Sequence, residues 1–285
     1  MSKAAPTGSP QPPASLVRAL EKLLKPVIRL LLHHQFTYPQ FIALLKALYV
    51  DVAEQEMQIG DKRQSDSRIH LLTGVHRKDV KRLRAESGDD APVPTAVSAG
   101  SQLIAQWMGN ADYLNQQGEP LALPLRADFE EKPSFEKLVA LVVKQDIRPK
   151  VILDELLRLG VARMENESVV LVTGAFTPDE GFDEKAFFFG KNLQDHASAG
   201  ASNLMGLKPS YFDRSVYYDR LTEESVAQLR SLGEKLGMNA LTHMNKTALE
   251  LQTRDKNKQF ADRRMNFGVY QFDDGLHSNP DNEVD

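Results

Sequence analysis

The sequence has no cysteine, only one tryptophan, and no apolar run of the length that crosses a bilayer. Without cysteine the chain cannot form disulfide bonds, thiolate zinc sites or cysteine nucleophiles. A membrane-spanning helix needs about 20 predominantly apolar residues, and the proline-containing N-terminus also lacks the apolar core of a secretion signal. We therefore expect a cytoplasmic protein with no membrane partner.

Motifs of the common catalytic sites are missing as well. There is no GxxxxGK[ST] or GxGxxG phosphate loop, no HExxH metal pair and no GxSxG nucleophile motif. Asp195, His196, Asn203 and His243 could converge, but such residues are more often buried polar groups bonded to the backbone. We predict a protein with no catalytic residues, cofactor or metal, and an enzyme acting around Asp195 and His196 is the minor alternative.

The sequence does contain a strongly basic segment within an acidic chain. The whole chain has a net charge of −4, whereas Lys62 to Arg84 has eight Lys and Arg against two Asp, 8 − 2 = +6. A local basic stripe is typical of a surface that meets phosphate groups. A solvated basic helix in an ordinary helical bundle would have similar charge, and this alternative stays open.

The same segment has the pattern of a helix-turn-helix. Ser65 or Asp66 can cap a first helix, and Gly74 can take the left-handed backbone conformation that reverses the chain. His70 and Thr73 depart from the usual pattern, which has a small residue and an aliphatic residue at these positions. Apolar residues on both sides of the glycine supply the packing faces of the two helices: Ile69, Leu72, Val75, Val80 and Leu83.

The basic residues that this pattern leaves outward are the candidate DNA-binding residues. We predict that the helix from Val75 to Ala85 enters the major groove. The candidates for contacts with base edges are Arg77, Lys78, Lys81 and Arg82. Those expected to neutralise phosphates are Arg84, Arg68, Lys62 and Arg63, and His76 also lies on the outward side.

Periodicity predicts a mainly α protein with small β hairpins, of the α+β class. We expect a disordered tail at 1–14, a helix-turn-helix or winged-helix-like head at 15–125, a second winged-helix-like module at 133–174, a C-terminal α+β region at 176–272 and an acidic tail at 273–285. The hairpin around Gly118 is either a wing of the head or a plain hairpin. From Asp146 to Glu167 the charge is 4 − 5 = −1, so the second module suits packing or dimerisation better than phosphate binding.

The C-terminal region is predicted to contain two strands and a long helix. The strands are Arg214 to Leu221 and Asn266 to Phe272, and the helix runs from Thr222 to about Arg254. An apolar stripe on this helix, which includes Leu229 and Leu236, either joins two subunits or packs within the chain. Because 13 of the 21 aromatic residues lie from Phe176 onward, we expect them to build the core of this region.

Several of these stretches together resemble one family. The stretches are Thr37-Tyr38-Pro39, the SRIHLLTGVHRKDVKRL run, Asp195-His196, Asn203 and the closing RMNFGVYQF. The chain is similar, from about Leu16 to Asp274, to a family of bacterial proteins known only as a domain of unknown function. The LLTG-HRKDV portion also resembles regulators with winged-helix heads. The resemblance implies a bacterial source and no activity.

Our leading hypothesis is a sequence-specific DNA-binding protein that regulates bacterial transcription. The second half would form a homodimer or sense a small-molecule effector, and double-stranded DNA would be the main partner. The alternative is a non-enzymatic interaction scaffold, in which the winged-helix-like modules bind protein and the basic helix meets an acidic partner. The sequence names neither the operator nor the effector.

Overall fold

The computed structural model of the chain describes residues 12–59, 63–86, 95–127, 132–142, 147–172 and 181–274. These residues form nine α-helices and three short β-strands, which confirms the predicted mainly α class with small β hairpins. The chain divides into two compact units, Met1–Ala91 and Pro92–Asp285. Among the helices of the described residues, none is long and apolar enough to cross a membrane. Most of the predicted terminal tails, residues 1–11 and 275–285, lies outside the described residues.

The described residues of the N-terminal unit form four helices: α1 (Ala14–His33), α2 (Tyr38–Glu56), α3 (Asp66–Thr73) and α4 (Arg77–Glu86). The backbone N–H of Thr37 donates to Gln40 Oε1 over 2.7 Å at the start of α2, where Pro39 occupies the first turn and its missing N–H costs nothing. Helices α2, α3 and α4 share one small core, whose buried side chains are Val50, Ala53, Ile69, Val75, Val80 and Leu83.

The C-terminal unit begins with a compact core of three helices and a small sheet. The helices are α5 (Thr95–Gly109), α6 (Phe135–Val142) and α7 (Pro149–Arg158), and the strands are β1 (Leu123–Pro124), β2 (Ala162–Glu165) and β3 (Ser168–Leu171). The sheet is antiparallel in the order β1-β3-β2. Asn166 and Glu167 both have positive φ, as a two-residue hairpin turn requires.

Trp107 lies at the centre of this core and is fully buried. Its Nε1–H donates to the carbonyl of Leu121 over 2.9 Å, and its ring meets that of Phe135 edge to face at 6.1 Å. Side chains from α5, α6, α7 and all three strands pack in the same cluster. We call this part, residues 95–172, the sheet core.

The sheet core corrects the predicted domain boundaries. We expected α5 and the hairpin around Gly118 to belong to the head at 15–125, and a separate module to begin at 133. The chain instead divides near residue 91, and the buried side chains of α5 and β1 lie in one cluster with α6, α7, β2 and β3. The segment around Gly118 is a tight turn with an isolated bridge between Leu114 and Pro120, because the strand that follows it pairs with β3 instead.

The remaining described residues, 181–274, contain two long helices and are here called the distal region. Helix α8 spans Phe182–Leu204 and α9 spans Glu223–Asp255. Thr222 Oγ1 accepts from the N–H of Ser225 over 3.2 Å and caps α9 as predicted. The two predicted strands are wrong: within residues 181–274 there is no β-strand, since neither 214–221 nor 266–272 has a strand to pair with.

Candidate nucleic-acid interface

The turn between α3 and α4 has the geometry that the sequence predicts. Ser65 Oγ accepts from the backbone N–H of Arg68 at the start of α3, over 3.3 Å. Gly74 ends α3 with φ of 72°, a left-handed conformation that costs a residue with a Cβ about 1–2 kcal/mol. Ile69 and Val75, on either side of the turn, are both buried in the core of the unit.

Two residues that depart from the usual helix-turn-helix pattern fasten this turn. His70 Nδ1–H donates to the carbonyl of Val75 over 2.8 Å, because a carbonyl can only accept. Thr73 Oγ1 donates to the carbonyl of Ile69 over 2.7 Å and accepts from the N–H of Val75 over 3.1 Å. Side-chain hydrogen bonds thus satisfy backbone groups that the end of a helix leaves free.

Helix α4 presents one face to the core and another to solvent. Val80 and Leu83 point into the core, and successive residues of a helix are rotated by about 100°. Lys78, Lys81 and Ala85 therefore project away from the core, and all three are exposed. Ala85 lies one turn after Lys81 and leaves a small side chain at this position of the same face.

The exposed cations of α4 differ in whether an acidic side chain already pairs with them. Among the described residues, no carboxylate forms an ion pair with Arg77, Lys78 or Lys81. Arg82 lies 2.7 Å from Glu86 one turn along the same helix, with half of its side chain exposed. Arg77, Lys78 and Lys81 form the part of the predicted site whose charge remains available to a phosphate, and we call them the free cations of α4.

Arg84 does not point outward, and this part of the prediction is wrong. Its side chain is only 11% exposed, and its guanidinium bonds Glu54 of α2 over 2.8 and 3.1 Å and also bonds Asp66 of α3. Arg84 lowers the pKa of the Glu54 carboxyl. This arginine therefore joins three helices, and its charge is neutralised within the unit.

The other predicted phosphate contacts are also engaged locally or lie outside the described residues. Arg68 donates to Gln64 Oε1 over 2.7 Å, and Arg63 lies 3.2 Å from Glu54 with most of its side chain exposed. His76 is exposed, but its Nδ1 accepts from the N–H of Lys78 over 3.2 Å at the start of α4. Lys62 lies outside the described residues.

Two residues that the sequence did not mark hold α4 in place. Lys46 Nζ lies 3.2 Å from the carboxylate of Asp79 on α4, and this contact lowers the pKa of Asp79. Glu54, eight residues after Lys46 on α2, forms ion pairs with Arg84 and Arg63. The contacts of Lys46 with Asp79 and of Glu54 with Arg84 join residues 33 and 30 positions apart, and only the folded chain makes such long-range pairs visible.

Asp195, His196 and Asn203, the residues considered for a minor enzymatic role, make contacts within the distal region. Asp195 of α8 accepts from Arg264 over 2.8 and 3.0 Å and from Asn266 over 2.9 Å, and Arg264 lowers its pKa. Asn203 exchanges two hydrogen bonds with the backbone of Tyr211. His196 lies 3.4 Å from Asp213, with both side chains nearly half exposed. These contacts hold two segments without regular secondary structure, residues 205–222 and 256–274, against α8.

The geometry defines a mainly helical protein whose N-terminal unit contains a basic helix-turn-helix. In the part of the chain that the structure describes, no three His, Asp or Glu side chains are arranged to hold a metal ion. The chain belongs to the family of unknown function DUF6502, whose model matches residues 14–279. No curated protein and no solved structure matches the chain.

Proposed function

We propose that the N-terminal unit binds duplex DNA, with α4 in the major groove, and that the protein is a sequence-specific transcriptional regulator of the cytoplasm. The observation that carries the proposal is the row of free cations on the solvent face of a helix-turn-helix. An α-helix fits the major groove of B-form DNA, where lysine and arginine can donate to guanine. The small side chain of Ala85, which is exposed on the same face, is compatible with a close approach of this kind.

The arrangement of charge supports a local DNA contact. Arg63, Arg82 and Arg84 are paired with carboxylates of Glu54, Asp66, Asp79 and Glu86. Among the described residues around the turn, the positive charge without an acidic partner therefore lies on Arg68 and on the free cations. Each lysine or arginine that contacts a phosphate releases condensed counterions, which supplies much of the affinity for DNA. One helix reads few base pairs, and we therefore expect two copies of the chain to bind paired half-sites.

One observation favours the second candidate, an interaction scaffold. Leu71 and Leu72 at the end of α3 are 82% and 48% exposed, next to the basic helix. An apolar patch beside a basic one fits a peptide with leucine-like and acidic side chains. This candidate predicts that changes at Leu71 abolish binding to a partner, whereas DNA binding depends chiefly on the lysines.

The test is the salt dependence of duplex binding by the full-length protein. Replacing Lys78 and Lys81 with alanine should lower the slope of log K against log salt by about 1.8, since each lost phosphate contact contributes about 0.9. Between 50 and 200 mM salt, the parent should lose roughly tenfold more affinity than the variant. Fluorescence anisotropy with a labelled duplex measures both slopes, and circular dichroism checks that the helices remain.

Helix α7 offers a matched control. Arg148 and Lys150 at its start are exposed and, among the described residues, have no acidic partner. The double replacement Arg148→Ala/Lys150→Ala removes the same net charge from the chain and should leave the slope unchanged. Equal slopes for the parent and the Lys78→Ala/Lys81→Ala variant would rule out α4 as the DNA contact.

A further inference from the structure

The distal region is held in a definite arrangement although it has almost no core of its own. Among its described residues, 181–274, only Phe188 is buried to more than nine-tenths of its surface. Ordering each backbone residue costs about 1–2 kcal/mol, and burial of apolar surface is the main term that offsets this cost. The second half of α9 packs on α5, where Asn245 donates to the carbonyl of Ala105 over 2.9 Å. Within the distal region this contact involves α9 alone, and among the described residues of α8, 205–222 and 256–274 only Phe188 is buried.

Polar contacts nevertheless fix the two irregular segments. Residues 205–222 are tied to α8 by the two hydrogen bonds between Asn203 and the Tyr211 backbone. Residues 256–274 are tied by Arg264 to Asp195 and by Asp273 to Arg230 over 2.8 Å. Ion pairs this close to solvent contribute only about 0–1 kcal/mol each. They specify the arrangement but cannot stabilise it alone.

The apolar side chains that would form the missing core are present and exposed. Nine aromatic residues of the region are between 46% and 84% exposed: Phe182, Phe189, Tyr211, Phe212, Tyr217, Tyr218, Phe260, Tyr270 and Phe272. Because each such ring can bury about 150–250 Å², these residues alone expose on the order of 1,000–1,500 Å². This sum is as large as one side of an obligate interface, which buries about 2,000–5,000 Å² on both sides together.

We propose that residues 181–274 form the self-association surface of this protein, and that a second copy of the chain completes their core. The exposed aromatic area matches one side of an obligate interface, which buries about 2,000–5,000 Å² in total. A region without its own core can fold stably only when its partner is present. A second copy of the chain is always present when the chain is synthesised, because both copies are translated from the same message.

The charge of the region favours a second copy over a nucleic acid or an anionic membrane. Residues 181–274 contain 13 Lys and Arg and 13 Asp and Glu, 13 − 13 = 0. Two neutral surfaces can meet without net repulsion, whereas polyanions attract surfaces with excess positive charge. The proposal stands independently of DNA binding by α4.

The segment from Phe212 to Leu221 is the part of this surface with the strongest need for a partner. Its Val216 and Tyr217 are 88% and 84% exposed. Among the described residues, no backbone N–H of 212–221 donates to a backbone carbonyl, since the segment joins no sheet. Such groups must find acceptors if the aromatic rings around them become buried. Pairing with the second copy would supply both the acceptors and the apolar contact.

The full-length protein tests this proposal without any mutation. Light scattering behind a sizing column should give twice the 31.9 kDa of one chain at micromolar concentration. Hydrogen exchange followed by mass spectrometry should show protected amides in residues 212–221, although the described residues of one chain offer them no backbone acceptor. A mass of 31.9 kDa, or a dimer whose 212–221 amides exchange as fast as a free peptide, would overturn the proposal.

A pair of variants then locates the contact. Tyr217→Asp together with Tyr218→Asp places two charges on the proposed interface and should shift the protein to the mass of one chain. The fluorescence of Trp107 in the sheet core should stay unchanged in that variant. Leu71→Asp, an equally exposed site on α3, is the control and should remain a dimer. A double variant that keeps the parent's mass, or a control that dissociates equally, refutes the assignment of this surface.

Discussion

Replacing Arg84 with alanine separates a structural role from DNA contact. The side chain is 11% exposed and bonds Glu54 and Asp66, so it joins α4 to α2 and α3. We expect Arg84→Ala to destabilise the N-terminal unit, because two partly buried carboxylates lose their common cation. We also expect the variant, where it is folded, to bind duplex DNA with the salt slope of the parent.

The magnitude follows from the burial of the three groups. Breaking a fully buried ion pair costs about 3–5 kcal/mol, whereas an exposed pair contributes about 0–1 kcal/mol. Glu54 and Asp66 are 21% and 32% exposed, so water can partly solvate them once the arginine is gone. A loss of about 2 kcal/mol lies between these limits. With a urea dependence of about 1–3 kcal/mol per molar, the unfolding midpoint should fall by about 1 M.

Hydrogen exchange in increasing urea measures this effect in the N-terminal unit alone, through the amides of α2 around Val50 and Ala53. Arg77→Ala is the matched control, because Arg77 is exposed and unpaired among the described residues, and it should change the free energy of unfolding by less than about 0.5 kcal/mol. A double-mutant cycle with Glu54→Ala isolates the coupling between the two side chains. If Arg84→Ala leaves the midpoint unchanged and lowers the salt slope as a phosphate contact would, the structural role is refuted.

Two further predictions concern acid stability and the sheet core. Arg84 lowers the pKa of the Glu54 carboxyl below its ordinary value of 4.5, so the stabilisation by this ion pair is complete above pH 4.5 and is lost as the pH falls through the lowered pKa of the folded protein. Hydrogen exchange of the α2 amides should therefore show that acid destabilises Arg84→Ala less than the parent. Parallel curves of stability against pH for the two proteins would contradict this. Trp107→Ala should lower the free energy of unfolding of the sheet core by about 3–5 kcal/mol and leave the Leu121 carbonyl without its donor. Urea unfolding followed by circular dichroism measures this loss, and Leu141→Ala, at an exposed position, is the control.

The sequence predicts the elements of the helix-turn-helix because local rules determine them. Gly74 takes the expected left-handed conformation, and Ser65 caps α3 as expected. Ile69, Val80 and Leu83 are buried at the positions that helical periodicity predicts. Each of these features depends on residues within one or two turns of the chain, so spacing and residue type determine them. The same spacing also predicted that Leu72 packs, and this prediction is wrong, because Leu72 is 48% exposed.

The direction of a long basic side chain cannot be predicted in the same way. Arg84 lies at the border between the apolar and polar faces of α4, where the helix alone leaves both directions open. Its partners Glu54 and Asp66 are 30 and 18 residues earlier in the chain.

The strands predicted in the distal region show the same limitation, because they too depend on distant residues. The segments 214–221 and 266–272 were predicted as strands from their residue types. A strand also needs a neighbouring strand, and within the described residues 181–274 there is no β-strand.

The contrast between α4 and α7 shows why the DNA-binding hypothesis depends on charge and not on architecture. Both helices are the second of a packed pair, and both bury an apolar face, through Val80 and Leu83 in α4 and through Ile152 and Leu153 in α7. On α7, however, Val151 is 58% exposed, and Arg158 is paired with two glutamates at 2.7 Å. Arg148 and Lys150 at the start of α7 have no acidic partner among the described residues, but they belong to a segment, Asp146 to Glu167, whose net charge is −1, whereas Lys62 to Arg84 has a net charge of +6. Because counterion release needs a local excess of positive charge, the same local fold supports the DNA-binding proposal for α4 and not for α7.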